Sequence, residues 1–103
     1  MKLGRVIGTV VATQKDEKLR NSRFLILQKL SAAGKPLAGE DDYVVAVDPL
    51  GTGVGEVALY VLSSSARFAS ATLDRPVDAV IAGIVDAVEH GGEVMYDKAL
   101  AEA

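Results

Sequence analysis

Cysteine and tryptophan are absent from the 103 residues, and histidine occurs once, at His90. Without cysteine there is no disulfide frame and no thiolate metal site, a composition that fits the cytoplasm. A single histidine beside Glu89 and Gly91 has no second His or Cys at ligand spacing, so no metal is expected and a surface position is. Aromatic residues are 5% of the chain. They are Phe24, Tyr43, Tyr60, Phe68 and Tyr96, scattered rather than alternating with Lys and Arg, which offers little of the stacking platform of a single-strand binder. Eleven basic against fourteen acidic residues give a formal charge of −3, the wrong sign for a dedicated phosphate-backbone binder. No apolar run approaches the roughly 18 residues of a membrane span. The opening Met1-Lys2-Leu3-Gly4-Arg5 does not lead into an apolar stretch with a small-residue cleavage site, so the expectation is a protein that is not exported.

What is present is apolar. Half of the residues are hydrophobic, yet a domain of this size buries only about two-thirds of its unfolded surface when alone. The excess predicts a soluble protein with buried interfaces. Lys15, Lys18, Arg20 and Arg23 cluster in one region, but Asp16 and Glu17 among them cancel part of the field, as in an ordinary solvated loop.

Residues 3–13 are β-branched, small or glycine and read as a strand covered on both faces, with Val6, Val10 and Ala12 on one side and Ile7 and Val11 on the other. After a charged loop at 16–22, residues 23–30 form a second strand, pairing with the first as a hairpin. Gly34, Pro36, Gly39 and the acids Glu40, Asp41 and Asp42 mark a surface loop at 31–42. Residues 43–47 and 56–62 are the third and fourth strands, the latter with Val57, Leu59 and Val61 on one face. Ser63 to Ser65 mark a turn, or the cap of a short helix through Arg67 and Phe68. Val77, Val80, Ile81, Ile84, Val85 and Val88 then lie at helical spacing behind Pro76, although β-branched residues and Gly83 weaken a helix there. Beyond Gly91-Gly92 the good helix formers of 93–103 predict a docked or frayed terminal helix.

Gly51, Gly53 and Gly55 match neither a dinucleotide fingerprint nor a phosphate loop, and Glu56 behind them repels phosphate. A tight turn with positive φ, or close approach of a neighbouring subunit, is the expectation. Asp48 and Glu56 flank this segment. They form a general acid and base pair only if held in differing environments; Asp48 before Pro49 is turn chemistry, and Glu56 suits loop amides or an arginine across an interface. Ser63, Ser64 and Ser65 lack the setting of a nucleophile. Arg67, alone among small residues, suits carbonyls or a carboxylate at an interface.

Residues 48–67, DPLGTGVGEVALYVLSSSAR, with the opening GRVIGTVVAT at 4–13 and PVDAVIAGIVD at 76–86, resemble the bacterial microcompartment vertex proteins, the pentameric shell family of ethanolamine utilisation and carboxysomes. The resemblance covers residues 1–88. Thr52 departs from the family's frequent alanine, Ser63 from its glycine, and Ala82 from a larger aliphatic residue. It implies a mainly β fold, a small five-stranded barrel like the oligonucleotide-binding fold with a short helix, assembled as a cyclic pentamer. It also decides 79–88 for strand. The implied division is a vertex barrel domain over 1–90 and a tail over 91–103. The implied function is to cap the vertices of a polyhedral shell, with hexameric shell proteins as partners and no cofactor, nucleic acid, membrane or catalytic activity. Gly51, Thr52, Gly53, Val54, Gly55, Glu56, Ser65 and Arg67 are the expected subunit-interface or fivefold-axis residues, and 15–23 and 67–75 the expected hexamer contacts. Two other classes stay open at this point: a monomeric barrel binding an oligonucleotide or small polar ligand, and an enzyme using the 48–56 loop.

Overall fold

The computed structural model describes residues 1–12, 23–37, 42–62 and 79–101. Among them form β1 (Lys2–Val10), β2 (Phe24–Leu30), β3 (Tyr43–Val47), β4 (Val57–Leu62), β5 (Ala79–Ile84), β6 (Ala87–His90), β7 (Glu93–Asp97) and a single helical turn, α1 (Lys98–Ala101). The first five strands close a barrel in the order β1-β2-β3-β5-β4, as expected. β1 is bonded along both edges, to β2 from Leu3↔Leu30 to Val10↔Phe24 and to β4 from Lys2↔Tyr60 to Arg5↔Val57. Ile7 is the extra residue of a bulge between Val6↔Leu27 and Gly8↔Ile26, which adds the local twist a small barrel needs. The closing seam is brief: β3 and β5 run parallel and meet at Val47↔Val80.

Alternation along the strands divides the apolar residues between two sides of the wall. Val6, Leu25, Leu27, Ala46, Ala58, Tyr60, Ala79 and Ile81 fill the interior and are all but inaccessible to solvent. Small residues make room for the one large ring: a Cβ on Gly4 would lie 3.1 Å from both Leu27 Cβ and the ring of Tyr60. Leu30, Val57 and Val85, with the partly buried Leu3 and Leu59, belong to a second cluster that Val88, Met95 and Tyr96 of the β6–β7 hairpin cover. A third, of Val47 and Val80 with Phe24 and Val61, lies beside the seam. Val57, Leu59 and Val61 thus share a face as predicted, and the opposite face of β4 carries Ala58 and Tyr60 into the core.

Three expectations need correction. The first strand ends at Val10 rather than at residue 13, and its second face is open in the single chain, with Ile7 and Val11 exposed. The predicted strand over 79–88 is two strands, β5 and the start of β6, with Val85 and Asp86 between them. The Val85 N–H still donates to the Val57 carbonyl at 2.8 Å, after which the chain leaves the barrel for the hairpin. Among the described residues the terminal helix is α1 alone, because residues 93–97 are β7, paired antiparallel with β6. Gly91 and Gly92 both have positive φ, 61° and 82°, the conformation a two-residue hairpin turn of type I′ demands. Pairing that places Val88 opposite Tyr96 and buries both outweighs the modest helix preference of EVMYDKALAEA. The third strand, 43–47, has the predicted limits. Ser63 to Ser65, and the short helix proposed after them, lie outside the described residues, as do 13–22.

Candidate functional site

Between β3 and β4 the chain makes a loop from Asp48 to Glu56 that is organised from within by its two carboxylates. Asp48 is the inner one, its side chain fully buried. Its Oδ1 accepts the Leu50 N–H at 3.0 Å and the Thr52 hydroxyl at 3.1 Å, and its Oδ2 accepts the Thr52 N–H at 2.8 Å and Arg23 Nη1 at 3.2 Å. The Asp48 N–H donates to the Arg23 carbonyl at 2.8 Å, fixing the carboxylate at the edge of β2. A buried charge is tolerated in this way, with several donors and a cation replacing water.

Glu56 is the outer carboxylate. Oε1 accepts the Gly53 N–H at 2.6 Å, while Oε2 lies 2.9 Å from Lys98 Nζ on α1. Lys98 beside it, and then the Gly53 amide, hold the Glu56 carboxyl below its ordinary range, and partial burial opposes them. The Gly55 N–H donates to the Val6 carbonyl at 2.8 Å and the Val6 N–H to the Glu56 carbonyl at 2.9 Å, docking the loop's end on β1. Arg5, also on β1, reaches the Gly55 carbonyl through Nη1 at 3.4 Å and lies over the Tyr96 ring, 5.6 Å from its centre.

The positive-φ turn expected of the three glycines is found at two of them. Gly51 and Gly55 have positive φ, 80° and 92°, where a side chain is strained. Gly53 does not; it is small because Glu56 closes on it. Between them Thr52 is fully buried, whereas Leu50 and Val54 stand out, Val54 at 63% exposure. Glu56 does bond a loop amide, as predicted, but its cation within the chain is Lys98 rather than an arginine. Gly51 to Glu56 are therefore gathered in one loop; Ser65 and Arg67 lie outside the described residues. Lys98 and Arg5 are the participants that sequence reasoning missed, since Lys98 is remote in the chain from Glu56 and nothing in their spacing links them.

Elsewhere, a cavity of ≈ 440 Å³ opens at one end of the barrel, lined by Leu30, Leu37 and Leu59 with Lys2, Lys29 and Tyr60. Burial raises the Tyr60 phenol, whose hydroxyl has no hydrogen-bond partner among the described residues. His90 is exposed at the hairpin tip, and the described residues include no group of three or more His, Asp or Glu placed to hold a metal.

Comparison with known proteins agrees with this architecture. The family model described as ethanolamine utilisation protein EutN/carboxysome matches residues 1–86. The carboxysome shell vertex protein CcmL of Gloeobacter violaceus is 42% identical over 98 residues, 95% of each chain. Its solved structure superposes with a TM-score of 0.85, at 41% identity, over 96% of this chain and 99% of that one. The GrpN pentameric microcompartment shell protein from Rhodospirillum rubrum follows, with a TM-score of 0.76 and 39% identity over 87% and 99% of the two chains. On a match that spans the whole barrel, the chain belongs to the EutN/CcmL family of microcompartment and carboxysome shell vertex proteins.

Proposed function

We propose that this chain is a vertex tile of a bacterial microcompartment: five copies close into a ring that occupies a corner of the shell, in the cytoplasm. The observation that carries this reading is the likeness, along the length of the chain, to a shell protein described as pentameric. Geometry is then the function. A flat sheet of hexagonal tiles cannot close into a polyhedron unless some positions have five neighbours, and a fivefold ring provides them.

The surface supports this. Ile7 on β1, Tyr43 and Val45 on β3, and Leu50 and Val54 on the loop are large apolar residues between 44% and 63% exposed in the single chain. Cyclic rings join one face of a subunit to a different face of the next, and such heterologous contacts remove apolar area from water. In this reading Gly51, Gly53 and Gly55 let the loop backbone approach a neighbour, Val54 fills the contact, and Thr52 supports it from behind. Ser65 and Arg67 belong to the same proposed interface. Hexameric shell proteins are the partners along the ring's outer sides, with 15–23 and 67–75 as candidate contacts. The role is structural rather than enzymatic, because the oxygens of Asp48 and Glu56 already serve amides, a hydroxyl and cations of their own chain.

Native mass spectrometry of the purified chain tests the ring. The expected species is five times the 10.8 kDa subunit, about 54 kDa. A stable monomer at micromolar concentration overturns the reading and favours the ligand-binding barrel, for which the cavity beside Lys2 and Lys29 is the candidate mouth. Tight, salt-sensitive binding of single-stranded nucleic acid is the measurement that would establish that second reading.

A further inference from the structure

The loop that carries Val54 is tied to the far end of the chain by side chains that the barrel itself does not require. We propose that Lys98 is a positioning residue: through Glu56 it clasps the 51–55 loop to the docked C-terminal hairpin, so that the loop takes its ring-forming shape only when the hairpin is seated.

Four observations converge on this clasp. Glu56 holds both parties at once, with Gly53 N–H on one oxygen at 2.6 Å and Lys98 Nζ on the other at 2.9 Å. Neither side chain of the ion pair is freely solvated, at 29% exposure for Lys98 and 17% for Glu56, so water screens the pair less than an ordinary surface pair. Lys98 is itself anchored, since its N–H donates to the Asp86 carbonyl at 2.8 Å where β5 gives way to β6. Arg5 adds a second strap from β1, touching the Gly55 carbonyl on the loop side and the Tyr96 ring on the hairpin side. Cations thus meet the loop at Glu56 and at Gly55, and both lead to the hairpin.

The consequence for assembly rests on the ring reading; the clasp itself does not. Its geometry makes the hairpin a remote control on the loop: Tyr96 and Val88 seat the hairpin against Val57 and Leu30, the seated hairpin presents Lys98, and Lys98 aligns the carboxylate that fixes Gly53. Through these contacts the seating of the hairpin and the shape of the loop are coupled.

Hydrogen exchange on the full chain separates these steps. The variants are Lys98→Met, which keeps the aliphatic stem and removes the charge, and Lys98→Arg, which keeps the charge. In Lys98→Met the Gly53 amide is expected to exchange about three- to tenfold faster while the Leu25 and Leu27 amides of the barrel interior keep their rates. By native mass spectrometry, the concentration at which half the rings dissociate should rise, and Lys98→Arg should restore both quantities. Unchanged Gly53 exchange in Lys98→Met overturns the clasp. So does equal acceleration at Gly53, Leu25 and Leu27, which would make Lys98 a general stabiliser. Faster Gly53 exchange with an unaltered ring overturns the coupling to assembly. Should the wild-type chain prove monomeric, the ring reading fails alone, and the exchange comparison still decides the clasp.

Discussion

Gly53 and Glu56 are locked together by size as well as by hydrogen bonding: a Cβ on residue 53 would stand 2.9 Å from the same Glu56 Oε1 that accepts the Gly53 N–H. Residue 53 needs no unusual φ. Glycine there lets the carboxylate close on the amide without crowding a side chain. Carboxylates are strong acceptors, and a charge-assisted bond of this kind contributes about 1.5–3 kcal/mol.

Gly53→Ala should therefore act through Glu56. The carboxylate can swing away, so the expected loss is about 1–2 kcal/mol, close to that of the hydrogen bond. Glu56→Ala combined with Gly53→Ala should be markedly less than additive, because both remove the same Gly53–Glu56 contact. Urea midpoints at a single protein concentration measure it, since the apparent stability of a ring depends on concentration.

Thr52→Ala deletes the hydroxyl donor to Asp48 Oδ1 while leaving the Thr52 N–H bond to Oδ2. A cost of about 1 kcal/mol is expected. Asp48→Ala should cost more, about 3 kcal/mol, because it strands the Thr52 amide in a buried position and releases Arg23. Equal midpoints for the two variants would show that Asp48 does not organise the loop.

Tyr60→Phe should be neutral or stabilising by up to about 1 kcal/mol, since the phenol is buried and its hydroxyl bonds to no described residue. Gly4→Ala, in contrast, should destabilise by about 1–3 kcal/mol, by driving a methyl group against that ring and Leu27. Thermal melts of the two variants, run side by side, give the opposite signs.

Acid should loosen the loop in a defined window. The folded-state pKa of Glu56 is lowered from 4.5, so the folded chain binds its proton less readily than the unfolded chain. That stabilisation is fully present above 4.5 and is lost as the pH falls from there through the folded value. A plot of urea midpoint against pH should fall more steeply below 4.5 for the wild type than for Glu56→Gln. Parallel curves would mean that other carboxylates govern the acid response.

The barrel strands were legible because their residues are β-branched and their breaks carry Gly, Pro or charge, and 43–47 needed nothing more. The stripe from Val77 to Val88 imitated a helix for a physical reason. Val80 packs beside the seam with Val47 while Ile81 points into the barrel, so a strand covered on both faces buries consecutive residues and loses its period of two. The tail misled differently: Gly91-Gly92 reads as a stop after a helix and equally as a hairpin turn, and only the apolar wall of Leu30, Val57 and Val85 opposite Val88 and Tyr96 distinguishes them. In the loop, glycine spacing pointed to the turn itself. The partners of Glu56 depended on where the chain's last strand docks, which no local pattern encodes.

β1 is paired on both edges, with β2 close behind it in sequence and with β4 some fifty residues later. During synthesis, at about 5–20 residues per second, one of those edges stays bare for roughly three to ten seconds while the intervening chain emerges. The positions awaiting β4 include Lys2 and Arg5, opposite Tyr60 and Val57. Positive charge on a bare edge hinders strand-to-strand pairing between nascent chains. The same Arg5 that straps the loop in the folded chain thus places a positive charge on that edge for as long as it waits for its partner strand.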